Sequence, residues 1–94
     1  GSGRDVTAEE GALVDRIRAV TDAVAGRVCC HNILIRRQGD RLAVSLHCGF
    51  DRNLPVIEAH RLSSRIEEAL KADMPAIERV LVHTEPERRP DGAR

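Results

Sequence analysis

An α+β two-layer sandwich, with two helices on one face of a three-stranded mixed sheet, is the fold this sequence predicts. Three observations carry the prediction. Apolar residues recur at helical spacing in two long segments. Residues 41–50 alternate apolar and polar as a half-buried strand does. Turn-forming residues separate each such segment from the next.

The first helix is expected over roughly residues 8–25. Thr7-Ala8-Glu9-Glu10 fits a capping box, in which the Thr7 hydroxyl takes the Glu10 amide and the Glu10 carboxylate reaches back. Leu13, Ile17, Val20 and Val24 then form one apolar stripe, and Gly26 ends it. Residues 28–37 read as a strand, Gln38-Gly39-Asp40 as its turn, and residues 41–50 as the returning strand of a hairpin. Leu42, Val44, Leu46 and Cys48 share one face with Cys30 and Leu34, which is assigned to the core. Ala43, Ser45 and His47 take the other face with His31, Ile33 and Ile35.

Asp51-Arg52-Asn53 closes the hairpin, and Pro55 opens a second helix. Its inward stripe is Val56, Ala59, Ser63, Ile66 and Leu70, with Glu67 and Lys71 as a surface pair. Asp73-Met74-Pro75 ends it, and residues 77–84 supply a third strand. The order α-β-β-α-β describes a ferredoxin-like sandwich that lacks its first strand. Gly1-Ser2-Gly3 looks like a cloning scar. Residues 1–6 are therefore assigned to a disordered lead, 7–86 to one domain and 87–94 to a disordered polar tail.

Composition narrows the function. The chain has 94 residues, 41% of them apolar, and Phe50 is its one aromatic side chain. Fifteen basic residues balance 15 acidic ones, so no electrostatic pull toward nucleic acid exists. A single Phe offers no stacking platform for bases, and no nucleic-acid partner is expected. No apolar run approaches the ~20 residues that cross a bilayer, and no secretory leader is recognisable. Three cysteines, an odd count without scaffold-like spacing, point to a reducing compartment rather than a disulfide framework.

The histidines carry the chemistry. Centring the hairpin on Gly39 places His31 opposite His47, and Cys30 opposite Cys48 on the other face. Directly opposed side chains have Cβ atoms ~4.5–5.5 Å apart, a seat for two imidazoles on one ion. A crossover through the second helix makes the third strand parallel to its neighbour, so His83 arrives at the same end. His60 lies about 7.5 Å up the second helix from Pro55, at 1.5 Å per residue. Glu85 shares the strand face of His83. Imidazole and carboxylate together suit zinc first, with manganese, iron, cobalt, nickel or cadmium as further divalent candidates. Cys29, beside His31, is the one thiol candidate ligand, whereas Cys30 and Cys48 are expected to act as small buried hydrophobes.

An apolar sheet face with no helix over it, in a chain with so thin a core, is expected to be covered by a second copy in a homodimer. A His–Cys nucleophile built from His31 and Cys29 is weighed and set aside, because sequence neighbours orient poorly for such work. No enzymatic activity is expected. A plain interaction domain with idle histidines is the bland alternative.

Five segments in order then resemble the C-terminal cytoplasmic domain of cation diffusion facilitator transporters. Val24-Ala25-Gly26-Arg27-Val28-Cys29-Cys30-His31-Asn32-Ile33 resembles the family's V-P-G-V-x-G-x-H-D-L lead into its first strand. Arg36-Arg37-Gln38-Gly39 resembles its hairpin turn, and His47 a strand-ending histidine. Leu54-Pro55-Val56-Ile57-Glu58-Ala59-His60 resembles L-S/P-V-x-E-A-H, and Val80-Leu81-Val82-His83-Thr84-Glu85-Pro86 resembles V-x-V-H-x-E/D-P. Asn32 stands where the family has Asp, and Cys29-Cys30 replace small residues.

The resemblance implies a V-shaped dimer on the cytoplasmic side, below a six-helix membrane domain that would be its partner. It implies divalent ions near the dimer interface, on the residues matching His31, His47, His83 and Glu85, with His60 adding a ligand. Metal would then draw the two arms together and regulate export. The alternative is a free-standing small metal-binding protein of the same fold.

Overall fold

The computed structural model describes residues 3–87. The elements are β1 (Arg4–Asp5), a 3-10 turn (Thr7–Glu9), α1 (Gly11–Ala25), β2 (Cys30–Gln38), β3 (Arg41–Phe50), α2 (Val56–Asp73) and β4 (Ile77–Pro86). They form one mixed sheet in the order β1-β2-β3-β4. The pairs β1–β2 and β2–β3 are antiparallel, and β3–β4 is parallel. Both helices and the hairpin are thus where the sequence puts them. Among the described residues no helix is long and apolar enough to cross a membrane.

Residues 4–6 correct the expected lead. Arg4 and Asp5 pair with Arg37 and Arg36 as a fourth, edge strand, and Val6 is buried. Two residues are too few for an alternating pattern to register. At the other end β4 runs through Glu85 and Pro86, and the Glu87 N–H donates to the Phe50 carbonyl at 2.6 Å. Residues 1–2 of the expected lead and 88–94 of the expected tail lie outside the described residues.

Thr7 does not cap α1. Its hydroxyl accepts the Ile35 N–H at 2.9 Å and donates to Asp5 Oδ1 at 2.7 Å, while Glu10 pairs with Arg37. A tertiary bond to the sheet has outcompeted the local box. α1 accordingly begins at Gly11, and Gly26 ends it with φ 76°, as expected for a left-handed cap.

Ile17, Ile35, Leu46, Ile66 and Leu70 are fully buried between the layers. Each such side chain contributes ~1.5–3 kcal/mol relative to leaving it in water. Ala59 and Leu62 pack on this core, but Val56 does not: it is 86% exposed at the start of α2, before the helix reaches the sheet. Arg16 and Asp73 join the two helices by a two-pronged ion pair at 2.6 and 2.7 Å. The Glu67–Lys71 pair forms as expected, at 2.9 Å.

The hairpin holds the main surprise. His31 pairs with His47 and Cys30 with Cys48, as the Gly39-centred register requires. From Leu34 onward the register is displaced by one residue, with Leu34 opposite Ser45 and Ile35 opposite Val44. The loop is therefore Gly39-Asp40, with Gly39 at the positive φ of 61° that two-residue hairpin loops favour at their first position. A β-bulge then restores the register, since Asn32 and Ile33 together stand opposite Leu46. Asn32 takes φ 53°, the left-handed region that Asn tolerates better than most residues. The bulge inverts the expected faces between it and the turn. Ile35 is buried and Ile33 packs on the core, while Leu34 moves to the open face beside Ala43, Ser45 and Leu81.

Candidate metal centre

Three adjacent strands each deliver a histidine to the open face at one end of the sheet. His31 is the last regular pair of β2 before the bulge, and it faces His47. His47 in turn is in register with His83 across the parallel pair. The ring centroids are 5.7 Å apart for His31 and His47, and 4.7 Å for His47 and His83. Alternation along β4 brings Glu85 to the same face, two residues beyond His83.

Glu85 ties the first two imidazoles together. Its Oε1 lies 2.8 Å from His31 Nε2 and its Oε2 lies 3.2 Å from His47 Nδ1. The hydrogen bond with His47 does most to hold the Glu85 carboxyl below the ordinary glutamate range, desolvation works against it, and the charges of His31 and His47 add to the lowering. The side chains of His31, His47 and Glu85 are 46, 36 and 40% exposed, so an ion can reach them from solvent. Borderline nitrogen and hard oxygen donors on one accessible face are the chemistry that zinc and its neighbours take. Among the described residues, however, no three His, Cys, Asp or Glu side chains already surround a single ion position. The donor set fits a divalent cation, but one copy as it stands leaves the coordination open.

Two expected ligands lie elsewhere. His60 is exposed on α2 and lines a separate cleft with Phe50, Thr84 and Glu85. Cys29 is bonded to Cys48, with Cα atoms 5.0 Å apart. A sulfur in that bond is no thiolate ligand, which corrects both the ligand assignment and the expectation that no disulfide forms. Cys30 is the free, buried cysteine, and burial pushes its thiol up to about 11. Two residues escaped the sequence reading. Asn32 sets the bulge that turns β2 immediately after His31. Arg27 donates to the Gly49 carbonyl at 2.7 Å and pairs with Glu87 at 2.9 Å, bracing the end of the sheet next to Glu85. Asn before an apolar run was the one available signal for the bulge.

A family described as "Cation efflux protein, cytoplasmic domain" matches residues 10–87. The chain belongs to this family. The resemblance of its five segments is thus borne out. A cation-efflux pump FieF of Cronobacter sakazakii is 29% identical over 75 residues, covering 77% of this chain and 25% of the pump. The chain therefore spans about a quarter of the length of such curated relatives. Among solved structures, CzrB in a zinc form is 32% identical with TM-score 0.73, covering 96% of this chain and 99% of that one. A C-terminal domain of MamM, also in a zinc form, has TM-score 0.80 at 21% identity, over 92 and 94% of the two chains. At that identity the likeness is one of fold, and it confirms the α+β architecture. The family is one of cation transport, not of catalysis.

Proposed function

We propose that this domain senses divalent cations for an efflux transporter, with His31, His47, His83 and Glu85 as its ligands and zinc as the leading ion. The observation that carries the reading is Glu85, whose two oxygens engage His31 and His47 at 2.8 and 3.2 Å. One carboxylate therefore already gathers two imidazole nitrogens around its own oxygen donors, the mixed nitrogen and oxygen set that zinc takes. The zinc form of CzrB supports zinc, and the zinc, manganese and cadmium forms of MamM domains support the wider divalent class.

The open sheet face supplies the second half of the argument. Leu34, Ala43 and Leu81 lie on it in one cleft flanked by Glu67 and Lys71 of α2, and Leu81 is 57% exposed. A second copy laid on this face buries that surface and brings further donors to the incomplete set. His60 contributes from the flank through the cleft it shares with Glu85. Metal that binds the closed pair better than the open pair shifts the population by its differential affinity. Relatives about four times longer than this chain support a parent transporter, on whose cytoplasmic side the domain would sit, over a free-standing protein.

Calorimetric titration with zinc, on the wild-type chain and on His47→Ala, tests the reading. Binding by the wild type, and affinity at least ~10-fold lower in the variant, is expected. No binding heat in either sample overturns it.

A further inference from the structure

Beneath the imidazole row, on the core side of the same strand ends, all three cysteines of the chain meet. Cys29 and Cys48 are bonded, Cys30 is the chain neighbour of Cys29, and Cys30 is also the register partner of Cys48. We propose that reduction converts this corner into a three-thiolate site for a soft, thiophilic cation, distinct from the His–Glu cluster on the open face.

Four contacts shape the corner. Burial and the Asp22 charge disfavour a Cys30 thiolate until a cation is bound, whereas the contacts from Arg18 and Thr21 favour it. Asp22 Oδ1 accepts the N–H groups of both Cys29 and Cys30, each at 3.0 Å, which fixes the vicinal pair. Arg18 donates to the Cys30 carbonyl at 2.7 Å and brings a positive charge beside its thiol. The Thr21 hydroxyl lies against Cys30 yet is buried with no partner of proper hydrogen-bonding geometry. A buried hydroxyl without a partner costs free energy, and a sulfur anion nearby would give it an acceptor. Cys29 also lines an open cleft of about 830 Å³ with Arg27, His31 and Glu85, which gives reductant and ion a way in.

The reduction step is balanced by a dithiol of the thioredoxin class. The S–S bond breaks, Cys29 and Cys48 each gain one electron and one proton, and the reductant leaves as its own disulfide. On binding, the cation replaces the three thiol protons, which pass to solvent. Burial that disfavours a bare Cys30 thiolate is offset by the ion's charge, because a coordinating thiol is deprotonated outright. Sulfur donors without carboxylates among them select soft ions of the copper(I) and cadmium(II) kind over magnesium or calcium.

Cadmium(II) alone is the probe, read by thiolate-to-cadmium charge-transfer absorption in the ultraviolet, which imidazole does not produce. The reduced wild-type chain is expected to develop this absorption with one equivalent, and the chain with Cys29–Cys48 intact to lack it. Because the signal follows the number of sulfur ligands, Cys30→Ser keeps about two thirds of it. The double variant His31→Ala/His47→Ala keeps all of it, with folding checked by circular dichroism. A reduced wild-type chain without the absorption overturns the proposal, and so does full absorption in Cys30→Ser. The comparison of reduced with oxidised wild type needs no variant.

Discussion

His47 stacks on His83 across the parallel β3–β4 pair, with centroids 4.7 Å apart and planes 20° from parallel. The stack links the hairpin half of the cluster to the crossover half. His83→Ala should therefore lower zinc affinity by about 10-fold or more, while His60→Ala, outside the row, costs less. Competition against a chromogenic chelator measures both, and equal effects would remove the row as the unit of binding.

Asn32 supplies the left-handed residue of the bulge, and a β-branched side chain is strained there. Asn32→Val should destabilise the domain by about 1–2 kcal/mol, whereas Asn32→Gly should be near neutral. Urea unfolding followed by circular dichroism reads the difference. Equal midpoints for the two variants would mean that the backbone relaxes freely at that position.

The Arg16 hydrogen bond holds the Asp73 carboxyl below its ordinary value, against a smaller opposing effect of desolvation. A depressed carboxyl contributes stability that is present above its unfolded value and lost as pH falls through the folded one. The metal-free domain should thus weaken as pH drops below about 4, and Asp73→Asn should show a shallower loss over that window. Denaturation midpoints between pH 5 and 2 are the measurement, and parallel curves would contradict it.

Leu81 is exposed on the face assigned to the second copy. Leu81→Asp should leave the monomer fold intact and weaken zinc-dependent self-association by about 10-fold or more, because a charge would have to be buried on the apolar contact face. Sedimentation velocity with and without zinc decides. Unchanged association would move the interface elsewhere.

Much of this architecture could be read from residue order, because helical stripes and the 41–50 alternation are local signals. The His31–His47 pairing was legible as well, although for an incomplete reason. The two-residue loop displaces the register that Gly39 suggests, and the bulge displaces it back. Asn32-Ile33-Leu34-Ile35 is so uniformly apolar after its first residue that alternation could not reveal the inversion. The edge strand was too short to leave a pattern, and Thr7 was drawn from its helix by a bond to Ile35, 28 residues away. The disulfide joins Cys48 not to its register partner Cys30 but to the residue before it, a choice that side-chain direction makes and spacing does not.

The bulge also separates the two ends of the hairpin into independent phases. A one-residue deletion at Asn32 or Ile33 would not merely shorten the strand. It would remove the bulge and leave one regular ladder, with His31 still opposite His47, Leu34 still opposite Ser45 and Ile35 still opposite Val44. Conversely, the metal-facing end can change its ligands without disturbing which residues the other end buries. Variation in ion preference and variation in the apolar contact face can therefore accumulate separately on one continuous strand.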